Sequence, residues 1–84
     1  MKLLQFKASW CGPCKQQTKL FEESPLSIEL QGIDIDEDED GLVEKYKVMS
    51  IPTMILINND DIIKKWVGIT PVENIEKEIK SVEK

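Results

Sequence analysis

Four residues, Cys11-Gly12-Pro13-Cys14, fix where this chain turns from extended to helical. Ahead of them, Leu3-Leu4-Gln5-Phe6 is apolar in all but one position and of strand length. After them, Lys15 to Glu22 consists mostly of residues compatible with a helix. Pro13 suits the first helical turn, because the N–H that it lacks would be unpaired there in any case. The segment therefore predicts a short central strand that runs into a helix, with Ser24-Pro25 ending that helix.

The remainder reads by periodicity. Ser27-Ile28-Glu29-Leu30 and Ile33-Asp34-Ile35 alternate apolar with polar as a half-buried second strand does, and Gln31-Gly32 marks a point of irregularity. Asp40 is placed to cap a short helix through Leu42, Val43 and Tyr46 that ends near Val48, and Ile51-Pro52 then forces an extended turn. Thr53 to Ile57 and Ile62 to Val67 flank the turn residues Asn58-Asn59-Asp60-Asp61, which predicts an antiparallel hairpin. Val72, Ile75, Ile79 and Val82 recur at helical spacing between charged residues, so that stripe is core and the lysines and glutamates between are a solvated face. The order strand, helix, strand, short helix, strand, strand, helix contains no repeat or linker, and predicts a single α/β domain over residues 1–84. A right-handed crossover makes the first two strands parallel, with the first helix on one sheet face.

Composition narrows the function. A chain of 84 residues has room for one core, and 40% hydrophobic with 32% charged residues fits a globular domain. A net charge of -5 repels phosphate backbones and anionic membrane surfaces, so neither nucleic acid nor membrane is an expected partner. No apolar stretch has the length of a signal-peptide core or a membrane span, which makes the cytoplasm the default expectation. Asp36, Asp38, Asp40 and Gly41 imitate part of a calcium-binding loop, but Lys47 stands where the bidentate glutamate belongs, leaving an acidic, solvated turn with a helix cap. A structural zinc site needs about four ligands, and two cysteines without histidine do not supply them, so no metal is expected. A disulfide across two residues closes too short a loop to constrain the unfolded chain much. Redox chemistry is the use that needs only these two sulfurs.

The chemistry follows from position. A helix N-terminus carries unpaired N–H groups and the positive end of the macrodipole, which stabilise a thiolate at Cys11. Cys11 is the candidate nucleophile toward a substrate disulfide, and Cys14 the candidate that resolves the mixed disulfide. Residues three apart on a helix share a face, so the two sulfurs come within bonding reach.

Trp10-Cys11-Gly12-Pro13-Cys14-Lys15 resembles the active-site motif of the thioredoxin family at every position, and Ile51-Pro52-Thr53 resembles its cis-proline loop. Ile35-Asp36, Lys45-Tyr46 and Val67-Gly68 extend the resemblance over nearly the whole chain. It implies a thioredoxin-like fold: a four-stranded mixed sheet with helices on both faces, lacking the N-terminal strand and helix of longer thioredoxins, with one face thinly covered. It further implies a cis Ile51–Pro52 peptide bond, an active-site turn shaped by Gly12 and Pro13, and a shallow apolar groove around Cys11. Trp10, Ile51, Pro52 and Gly68, with Val67, would line that groove and bind substrate, although Gly68 equally suits a strand end that needs only its backbone freedom. Trp66 reads as packing. The implied activity is reduction of protein disulfides with no bound cofactor beyond the redox-active Cys11–Cys14 disulfide, and a monomer is the default expectation, since no extra apolar stripe demands another chain. Its implied partners are disulfide-containing proteins and an NADPH-dependent flavoprotein reductase. A glutaredoxin-like, glutathione-dependent reductase and a non-catalytic docking subunit are the competing readings.

Two positions depart from the family. Gln5 stands where thioredoxins bury an aspartate that helps to deprotonate the second cysteine, and Gly32 where that aspartate has its lysine partner. Glutamine accepts no proton at physiological pH. Lys7, four residues before Cys11, is a candidate for favouring a thiolate electrostatically, against the plainer reading of a solvated lysine.

Overall fold

The computed structural model describes residues 1–83. Its elements are β1 (Lys2–Lys7), α1 (Gly12–Glu23), β2 (Glu29–Asp34), a 3-10 turn (Ile35–Glu37), α2 (Leu42–Lys45), β3 (Thr53–Asn58), β4 (Asp61–Val67) and α3 (Val72–Val82). The strands lie in the order β2-β1-β3-β4, with β1 parallel to β2 and antiparallel to β3, and β3 antiparallel to β4. This is the predicted four-stranded mixed sheet. None of the described helices is long and apolar enough to cross a membrane.

The strand β1 is central and covered on both sides, which is why Leu3 to Phe6 is buried throughout rather than alternating. Leu3 faces α1 and α3, joining Phe21, Met54, Leu56, Ile75 and Ile79. Leu4 and Phe6 face the other way, against Ile33, Tyr46, Ile55 and Ile57. Among the described residues that second face is roofed only by the 3-10 turn, the four-residue α2 and the segment leading to β3, through Ile35, Leu42, Val43, Val48 and Ile51. Helical elements thus lie on both faces, as the resemblance implied, and one covering is thin. Trp66 packs beside the α1–α3 core, as expected of a strand residue.

Three local expectations are corrected. Residues 31 and 32 are not irregular: Gln31 and Gly32 pair with Leu4 and Gln5 in unbroken parallel register. The irregularity lies in β4, where Leu56 pairs with Lys64 but Ile57 with Ile62, leaving Ile63 as the extra residue of a bulge. The short helix is capped by Asp38 rather than Asp40. The Asp38 carboxylate accepts from the N–H of Leu42 (2.9 Å) and of Val43 (2.8 Å), placing negative charge on the helix N-terminus. The strand β2 also begins and ends slightly differently from its apolar alternation. Ile28 packs beside the core ahead of it, and Ile35 opens the 3-10 turn because Asp34 Oδ1 accepts from the N–H of Asp36.

Candidate active site

Between β1 and α1 the backbone turns so that the N–H of Cys11 donates to the carbonyl of Ala8 (3.1 Å), and Cys11 becomes the N-cap of α1. Its sulfur accepts from the N–H of Cys14 at 3.1 Å, using one of the otherwise unpaired donors of the first turn. Gly12 opens the helix and Pro13 lies in its first turn. Cys11 and Cys14, 5.2 Å apart between Cα atoms, are joined as a disulfide. Both are buried, at 5% and 1% exposure, so accessibility does not separate their roles. They differ in position: Cys11 caps the helix, at the end where a thiolate is stabilised, while Cys14 lies one turn inside.

The peptide bond between Ile51 and Pro52 is cis. Ile51 packs against the cluster of Ala8, Cys11 and Cys14, so the loop meets the dithiol in space across some 40 residues of sequence. Pro52 is buried, and its carbonyl accepts from the N–H of Gly68 (2.8 Å), which joins this loop to the end of β4. Gly68 has φ 89°, a conformation that a side chain would strain, so the backbone requirement read from the sequence is real. Trp10 is 65% exposed and is tethered by its indole N–H donating to Asp36 Oδ2 at 2.8 Å. Met49, Val67 and Ile69 add exposed apolar surface in the segments flanking Ile51-Pro52 and Gly68.

One supporting residue gave no signal in the sequence. Gln17 reads as one polar residue on a polar helix, yet it is fully buried. Its Nε2 donates to the carbonyl of Thr70 (3.0 Å) and its Oε1 accepts from the N–H of Thr70 (2.7 Å), while Thr70 Oγ1 donates to the carbonyl of Gly68. The helix that carries the cysteines thereby holds the Gly68 loop. Gln17→Leu leaves both backbone groups of Thr70 buried without partners, at a cost of about 1–3 kcal/mol for each. Urea denaturation should show that loss as a lower midpoint.

The thioredoxin family profile matches residues 1–81. Thioredoxin of Staphylococcus epidermidis is 40% identical over 81 residues, a match that covers 89% of this chain and 75% of the relative. Among solved structures, a point mutant of thioredoxin from Halobacterium salinarum superposes with a TM-score of 0.82 at 28% identity, covering 95% of this chain and 72% of that one. Reduced Schistosoma mansoni thioredoxin pre-protein gives 0.80 at 32% identity, covering 95% and 76%. A match of this extent, on a chain whose dithiol and cis-proline loop come together in space, means that the chain belongs to the thioredoxin family and is a thiol-disulfide oxidoreductase.

Proposed function

We propose that the protein reduces disulfides of other proteins as a single domain over residues 1–84, working as a monomer in the cytoplasm. Cys11 attacks a substrate disulfide and becomes joined to one substrate sulfur; Cys14 then displaces that sulfur, leaving the Cys11–Cys14 disulfide and a substrate reduced by two electrons. An NADPH-dependent flavoprotein reductase returns the two electrons. Trp10, Ile51, Pro52 and Gly68 serve substrate binding, with Gly12 and Pro13 setting the turn. The observation that carries this reading is the N-cap position of Cys11, with Cys14 one turn further along the same helix. The exposed apolar side chains of Trp10, Val67 and Ile69 favour a protein segment as substrate over an enclosed metabolite. Because Pro52 is buried, its part is to shape the loop whose backbone an extended substrate would pair with.

The test is insulin reduction, comparing NADPH with thioredoxin reductase against glutathione with glutathione reductase, and Cys11→Ser as control. Turnover with thioredoxin reductase alone is expected. Preference for glutathione would replace this reading by a glutaredoxin-like one, and no turnover above the control in either system would point to a docking role.

A further inference from the structure

Cys14 must lose its proton to act, and its burial opposes the thiolate. The side chains that face it are therefore decisive. Alternation along β1 sends Leu3, Gln5 and Lys7 toward α1. Gln5 is spent: it is buried and donates to Thr18 Oγ1 at 3.0 Å. Beyond it a cavity of about 370 Å³ opens beside Cys14, and its charged lining comprises Lys7 from β1, Lys15 from α1 and Asp34 from β2.

These three charges are not equivalent. Lys15 is exposed, so solvent screens it. Asp34 has one carboxylate oxygen held by the N–H of Asp36 in the 3-10 turn. Lys7 is half-buried, and among the described residues its ammonium makes neither of the ion pairs, which are Lys45–Asp60 and Lys64–Glu78. Its path is set by β2. A Cβ built on Gly32 would lie 3.0 Å from Lys7 Cε and 3.1 Å from Nζ, so the lysine stem occupies the space that a side chain at position 32 would fill. The missing side chain at Gly32 and the lysine at position 7 are one arrangement: the glycine leaves the room against β2 that the end of the Lys7 side chain takes.

The geometry points to Lys7 as a positioning residue for the resolving cysteine, its ammonium laid across Gly32 at the cavity beside Cys14 so as to favour the Cys14 thiolate. The inference rests on the oxidoreductase reading. In the step concerned, the Cys14 thiol gives its proton to solvent in the cavity and the thiolate attacks Cys11 Sγ. The Cys11–Cys14 bond forms as the bond from Cys11 to the substrate sulfur breaks. The electron pair leaves on that sulfur, which departs as a thiolate and is protonated by solvent; the cysteine pair is oxidised as the substrate is reduced.

Stopped-flow mixing of the reduced protein with dithiobis(nitrobenzoate) separates the two cysteines, because the first thionitrobenzoate is released by Cys11 and the second by Cys14. Lys7→Met should move the pH midpoint of the second release upward by about one unit, as loss of one nearby opposite charge does, and slow it about threefold near neutrality, because the less acidic thiol gives a scarcer but more nucleophilic thiolate. Lys7→Arg should restore the profile, and Lys15→Met should shift it much less. In the Cys11→Ser background, ultraviolet absorbance of the Cys14 thiolate should report the same upward shift for Lys7→Met. A second-release profile unchanged by Lys7→Met, or moved equally by Lys15→Met, would overturn the role of Lys7. Absence of any second release from the unmodified protein would instead overturn the oxidoreductase reading itself.

Discussion

Serine at position 11 should reduce insulin-disulfide reduction by about a thousandfold or more, since it deletes the nucleophile of a covalent mechanism. Cys14 cannot take over. It lies one turn inside α1, while the helix terminus that stabilises a thiolate belongs to Cys11. Serine at position 14 should have a different signature. The first attack still occurs, but nothing displaces the substrate, so a covalent complex through Cys11 accumulates that survives denaturing electrophoresis and dissolves with dithiothreitol. Mass spectrometry of peptides from that complex should find the substrate on Cys11. Substantial activity in Cys11→Ser, or no covalent complex with Cys14→Ser under conditions where the unmodified protein turns over, would refute this division of labour.

Much of this fold was legible because its periodicities are unambiguous. The continuous apolar run of β1 marks a strand covered on both faces, and Val72, Ile75 and Ile79 mark the buried stripe of α3. The turn at Asn59 was legible too, since asparagine tolerates the left-handed conformation found there, with φ 59°. What escaped were choices between near-equivalent residues. In an acidic run, Asp38 and Asp40 are equally good caps by type, and only the left-handed turn at Gly41 brings the Asp38 carboxylate onto α2. The bulge at Ile63 lies in a run of β-forming residues whose pairing is decided by the opposite strand. At the site, the cysteine pair and cis-proline loop were readable as motifs. The Gln17 clamp and the Trp10–Asp36 bond were not, because each joins a polar residue to a partner distant in sequence. Gly32 shows the same limit: as a letter it reads as an irregular strand position, and only the register shows that Lys7 fills the space beside it.

Phe6→Ala should be the most damaging single truncation in the core, and it should reach the active site. Phe6 is fully buried on the sheet face with the thin roof, edge-on to Tyr46 with ring centroids 6.3 Å apart. Removing the ring costs about 3–5 kcal/mol in transfer and cavity terms. A domain of this length has a net stability of about 4–13 kcal/mol on a per-residue scale, so one substitution removes a large share of it. The expected fall in Tm is on the order of 20 °C. Leu3→Ala, on the face backed by α1 and α3, also loses a fully buried side chain, at about 2–5 kcal/mol. The two should differ in function. Phe6 shares its cluster with Ile51, which in turn packs on Cys11 and Cys14, and the four-residue α2 is too short to hold its place without that packing. Phe6→Ala should therefore raise KM for insulin per folded molecule at a temperature where the variant is still native, whereas Leu3→Ala should leave it near the unmodified value. Equal KM values for the two variants would show that the thin face supports stability alone and does not hold the cis-proline loop against the cysteines.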